Sequence, residues 1–118
     1  MALKRAILEP GTGNDLHGSD YTTAALRAVQ DALHHSSLAF VRSLGLDVNA
    51  LQVDVTIGVQ KPEKVDREAV KKSLPRGQAN VKVVKGGLDV PQEGAHDEIV
   101  IATAAIAVRF EPPASAGR

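Results

Sequence analysis

The sequence predicts a single α/β domain of order β-α-β-α-β-β, built on a four-stranded mixed sheet with helices on one face. Three observations predict it. Residues 51–59 alternate strictly, with Leu51, Val53, Val55, Ile57 and Val59 set against Gln52, Asp54, Thr56 and Gly58, the pattern of a strand with one face in the core. Between Asp20 and Gly45, Leu26, Val29 and Leu33, then Phe40, Val41 and Leu44, recur at helical spacing. A length of 118 residues suits one hydrophobic core and no more.

Taken in order, residues 3–8 read as the first strand, ended by Pro10. Residues 9–20 then form a Gly-rich loop leading into the first helix, with Asp20 or Ser19 as its N-cap. We expect one long helix, bent near His34-His35-Ser36-Ser37 and stopped at Gly45. The strand at 51–59 ends at Lys61-Pro62. Asp66 can cap a short helix through Leu74, with Val70 and Leu74 facing inward. Pro75-Arg76-Gly77 is a turn, and residues 81–84 are a third strand ended by Gly86-Gly87. Residues 88–96 read as a loop. The fourth strand, 98–110, is apolar on both sides: Ile99, Ile101 and Ala105 on one, Val100, Ile106, Val108 and Phe110 on the other. Such a strand needs cover on both faces. Two helices cover one face, and a partner subunit is the simplest cover for the other. The domain then spans residues 1–111, with 112–118 as a tail.

Composition removes several functions. Lys plus Arg and Asp plus Glu both number 14, so no net field draws the chain to nucleic acid or to anionic membrane. The aromatics are Tyr21, Phe40 and Phe110 alone, too few for base-stacking platforms. The absence of cysteine excludes disulfides, thiolate metal sites and a Cys nucleophile. No apolar run reaches membrane-spanning length. The N-terminal apolar run is shorter than a signal-peptide core. The expectation is a cytoplasmic protein that binds neither nucleic acid nor membrane.

The segment 9–20, Glu-Pro-Gly-Thr-Gly-Asn-Asp-Leu-His-Gly-Ser-Asp, is the candidate site. Gly11, Gly13 and Gly18 free its backbone, while Asn14, Asp15, His17, Ser19 and Asp20 supply donors, acceptors and a titratable ring. It is not a phosphate loop: the glycine spacing is wrong, no Lys or Arg lies within it, and Asp15 and Asp20 would repel a phosphate. Asp15, His17 and Asp20, with His34, His35 or His96, offer ligands suited to a divalent cation. Their spacing matches no metal motif, and no metal is assigned. The bland reading is that Asp15 and Asp20 cap amides while His17 packs beneath the loop. The chemical reading makes His17 an acid or base oriented by Asp15, with Lys85 brought near through Gly86 and Gly87. Gly11, Gly13, Asn14, Asp20, Gly86 and Gly87 would then line a site for a small polar molecule. No cofactor is legible.

Gly11-Thr-Gly-Asn-Asp-Leu-His-Gly-Ser-Asp, with Thr22-Thr-Ala-Ala-Leu-Arg-Ala-Val, Asp31-Ala, Ser37-Leu and Gly86-Gly87, resembles the "Lin" family of conserved hypothetical proteins, over most of the chain. That family carries no established function. Gly11-Thr-Gly, Ala25-Leu26 and Gly86-Gly87 also resemble, more distantly, one repeat unit of the ring-opening cyclic amide hydrolases, cyanuric acid hydrolase and barbiturase. Those enzymes fuse three α/β units around a central site, so the likeness implies a trimer of single chains. Their catalytic lysine, substrate-binding arginine and nucleophilic serine correspond here to Leu8, Asp20 and Lys85, so the likeness implies the architecture without the amidase machinery.

Three functions are therefore expected in turn: an inter-subunit site for a small polar molecule around Asp15 and His17, a cyclic amide hydrolase-like enzyme, and a non-catalytic assembly protein. All three place the chain in a homo-oligomer, with a trimer favoured.

Overall fold

Strand β5 (Glu98–Phe110) is the spine of the molecule. On one side it pairs antiparallel with β1 (Lys4–Asp15) along nearly its whole length; on the other it pairs antiparallel with β2 (Gln52–Val59) and, further along, with the short β4 (Leu88–Pro91). Strand β3 (Gln78–Lys85) lies parallel to β2 and closes the order β1-β5-β2-β3. The computed structural model describes residues 4–16, 19–34, 51–74, 78–94 and 98–110, by backbone alone at 4–7, 78 and 110. The domain is mixed α/β, as the sequence predicts, with five strands rather than four.

Helices α1 (Tyr21–His34) and α2 (Arg67–Ser73), with a 3-10 turn at Pro62–Lys64, complete the described elements. The even residues of β5 (Val100, Ala102, Ala104, Ile106 and Val108) are buried toward α1, together with Val53, Val55, Ile57 and Val59 of β2 and Val70 of α2. The alternation at 51–59 is thus what it predicts, a strand with one face in the core. Both helical caps form as expected. Asp20 Oδ1 accepts from Thr23 N–H at 3.0 Å, and Asp66 Oδ1 accepts from Glu68 and Ala69 N–H at 3.1 and 3.2 Å. These contacts satisfy amides that a helix start leaves unpaired.

Three expectations are corrected. Pro10 does not end the first strand, which runs on to Asp15, so residues 9–15 of the loop expected at 9–20 are strand. Pro10 is tolerated because β1 is an outer strand, and the position of its missing N–H faces away from the β5 ladder. Residues 88–91 are not loop: Leu88, Asp89, Val90 and Pro91 pair with Ile101, Val100, Ile99 and Glu98. The apolar stripe of α1 is centred on Ala24, Ala28 and Ala32, which are fully buried with Ala25 and Val29, while Leu26 and Leu33 are only partly buried. Small side chains win there because the helix lies directly on β1. A Cβ on Gly11 would meet the Ala28 carbonyl oxygen and the Ala32 nitrogen at 2.4 Å, and one on Gly13 would meet Ala24 O at 2.5 Å.

The expected run of the first helix to Gly45, its bend at 34–37, the turn at 75–77 and the tail at 112–118 fall wholly or partly outside the described residues. No described helix is long and apolar enough to cross a membrane.

Candidate functional site

The first turn of α1 is tied down on both sides of β5. Asp15 on β1 and Asp89 on β4 are each in register with Val100, so the two carboxylates flank that buried valine on the helix-facing side of the sheet. Asp15 Oδ2 accepts the Asp20 N–H at 2.8 Å, while Tyr21 Oη donates to Asp89 Oδ2. One strand carboxylate therefore holds the residue before the helix, and another holds its first residue. Ser19, at φ 50°, closes the connection by accepting the Glu98 N–H at 3.1 Å, and Gln92 Nε2 donates to Leu16 O at 2.8 Å.

Each group here has an identifiable electrostatic setting. Asp15 is 8% exposed, and its Oδ1 faces Arg27 Nη1 at 3.8 Å. Asp20 is held below the usual carboxylate range, first by the Thr23 amide it caps and then by the Thr23 hydroxyl. Burial is the main cause that pushes the Tyr21 hydroxyl well above its ordinary value, and the Asp89 carboxylate beside it adds to the shift. Lys64 Nζ stands over the Tyr21 ring, 5.9 Å from its centre. Asp89 Oδ1 is buried and has no hydrogen-bond partner among the described residues. Buried polar atoms are rarely left so.

The residues singled out from sequence divide by place. Asp15 and Asp20 meet at the α1 N-terminus. Gly11 and Gly13 lie under α1 and pack it; Asn14 faces outward on β1, its carbonyl accepting from Arg27 Nη1 at 2.6 Å. His17, Gly18, His35 and His96 lie outside the described residues, and His34 is exposed at the end of α1. Lys85 is exposed at the end of β3, opposite Val59. Three strand steps separate β3 from β1, which puts Lys85 at least about 14 Å from Asp15 at ordinary strand spacing. The geometry does not bring these two together. Gly86 and Gly87 carry the chain from β3 across the end of β2 to β4. Gly87, at φ 60°, passes so close that a Cβ would meet Ile101 O at 2.2 Å, and Gln60 Nε2 donates to both carbonyls of the pair at 3.1 and 3.2 Å. Among the described residues no group of three or more His, Asp or Glu side chains could hold a metal ion.

Sequence reasoning missed Tyr21 and Asp89. They are 68 residues apart, and Asp89 sits in a stretch read as loop. A Leu-Asp-Val alternation after Gly86-Gly87 was the available signal.

The face of the sheet away from α1 has a different character. Leu88 and Val90 project there beside Ile101 and Ile99, and Leu8 projects there from β1, opposite Ala107. Leu88 is 58% exposed, Leu8 55% and Val90 37%; Leu16, just past β1, is 49% exposed. At the far end, Asp54 accepts from Gln52 and Asn80 at 3.2 Å each. Arg109 Nε lies 2.7 Å from Asp54 Oδ2, an ion pair on this face. Burial raises the Asp54 pKa, but the Asn80 and Gln52 hydrogen bonds and the Arg109 charge outweigh it and leave it lowered.

A five-stranded mixed sheet, with the described helices on one face and exposed aliphatic side chains on the other, defines a small α/β domain. The chain belongs to the Lin0512 family of conserved hypothetical proteins, whose model matches residues 5–108. It is similar to a solved structure from Nostoc punctiforme, described as an FtsZ-like protein of unknown function. The two are 37% identical, with 94% of this chain and 98% of that one covered and a TM-score of 0.83. No curated protein matches the chain.

Proposed function

We propose that this chain is a self-assembling protomer, and that its uncovered sheet face packs against further copies of itself. The observation that carries this is the apolar end of that face: exposed Leu88 and Val90 beside half-buried Ile101 and Ile99. A contiguous exposed patch of this kind marks an interaction site more often than bare surface. Burying each large aliphatic side chain contributes about 1.5–3 kcal/mol. A second copy is the occupant that the charge favours. With 14 basic and 14 acidic side chains, two copies meet without net repulsion, and Asp54 and Arg109 give the same face both signs of charge. Three copies is the number that the likeness to one unit of the three-unit cyclic amide hydrolases favours. Leu88→Glu tests the reading by size: the variant should dissociate while keeping its fold. A variant of unchanged size would remove the sheet face from the interface.

A second reading is favoured by Asp89. Its buried, unpartnered Oδ1 beside the Tyr21 hydroxyl would suit a donor from a small polar molecule at the α1 N-terminus, close to the end of β1 and next to the open face. A thermal-shift panel of cyclic amides against wild type and Asp89→Asn tests it. A ligand that stabilises wild type and not the variant supports the reading; equal shifts, or none, oppose it. The ring-opening amidase gains no support from the separation of Lys85 and Asp15.

A further inference from the structure

An outer strand presents unpaired N–H and C=O groups to any other strand that approaches it. Strand β1 is such a strand, with β5 on one side and no described strand on the other. Between Pro10 and Asn14 one outward donor is missing, and one donor and one acceptor are engaged by side chains of α1. Pro10 has no N–H to offer. The Thr12 N–H donates to Asp31 Oδ2 at 2.9 Å, and the Asn14 carbonyl accepts from Arg27 Nη1 at 2.6 Å. Arg27 and Asp31 stand one turn apart on α1, so they project side by side. They reach the strand because Gly11 and Gly13 let α1 lie directly on β1. The small residues and the two charged side chains thus form one device: the first pair brings the helix down, and the second pair folds over the strand edge.

The geometry points to an edge guard, in which Arg27 and Asp31 keep β1 from pairing with a strand of another molecule and so shut that edge to self-association. This deepens the assembly reading, since a protomer with an apolar face and an unguarded long edge would grow without limit by strand addition. Closed oligomers require that one of these routes be shut.

The test is the double variant Arg27→Ala, Asp31→Ala. The Arg27 side chain is 58% exposed, and alanine is the strongest helix former, so α1 is retained. The variant is compared with wild type by size-exclusion elution and thioflavin T binding over a concentration series. The expected result is a shift of the variant to the void volume with thioflavin binding, and a return to the wild-type position when Thr12→Pro is added. Proline at position 12 removes the freed donor without touching the β5 ladder, because that N–H faces outward. A double variant that elutes as wild type would overturn the guard, as would a triple variant that aggregates like the double. Amide exchange in Asp31→Ala reads the same contact without assembly: the Thr12 amide should exchange faster, and an unchanged rate contradicts the guard. The wild-type size itself judges only the assembly reading, whereas the difference between variant and wild type judges the guard.

Discussion

A Cβ placed on Gly13 would lie 2.2 Å from the Ala28 backbone nitrogen: helix α1 rests on strand β1 with no side chain between them. Much of the molecule follows from that contact. It sets the alanine stripe of α1, keeps Gly11 and Gly13 in a strand, and brings Arg27 and Asp31 within reach of the strand edge.

Gly13→Ala should therefore be among the most damaging small substitutions in the chain. The added methyl meets backbone atoms that cannot rotate away, so the helix must lift. The expected loss is about 3 kcal/mol, the upper end of ordinary overpacking. Gly94→Ala is the control. Nothing lies within 4 Å of its Cβ, and only its φ of 81° opposes a side chain, at about 1 kcal/mol. Urea denaturation of the two variants checks the order, and equal losses would refute the close contact.

Asp20→Ala should cost about 1 kcal/mol through loss of the N-cap. The folded-state pKa of Asp20 lies below the ordinary value of 3.8. Its charge-dependent stabilisation is therefore full above that value and is lost as pH falls through the folded pKa. Denaturation of wild type and variant across acidic pH should show a gap that narrows below pH 3.8 and is constant above it. A gap that persists unchanged in acid would mean that the side chain acts by packing.

Tyr21 offers a spectroscopic test, because the chain has one tyrosine and no tryptophan. Its folded-state pKa is raised above 10.0, so its contribution to stability is present below pH 10 and is lost as pH rises beyond it. Tyrosinate absorbance should be absent at pH 10 and emerge only with unfolding. Ordinary titration centred on pH 10 in folded protein would contradict the buried Asp89 partner. Tyr21→Phe should cost about 1–3 kcal/mol by leaving Asp89 without its donor.

Local signals in the sequence were readable where one residue's role is set by its neighbours in the chain. The alternation at 51–59 and the caps at Asp20 and Asp66 are of this kind. Gly11 and Gly13 were read as loop residues because glycine looks the same in sequence whether it frees a turn or makes room for a helix. Only the helix arriving from residues 21–34 distinguishes the two. Strand β4 has four residues, one of them proline, and borrows its conformation from β5. The Tyr21–Asp89 pair and the Arg27 and Asp31 edge contacts depend on tertiary register, which no local pattern encodes. The apolar character of both sides of β5 was legible in advance, because alternate residues of one strand fall on opposite faces.

The most direct test of the assembly proposal is the solution mass by light scattering at micromolar concentration, for wild type and Leu88→Glu side by side. The account predicts a wild-type mass that is a multiple of 12.4 kDa, with three copies favoured, and a folded variant at the mass of one chain. A wild-type protein of 12.4 kDa across the concentration range would contradict it.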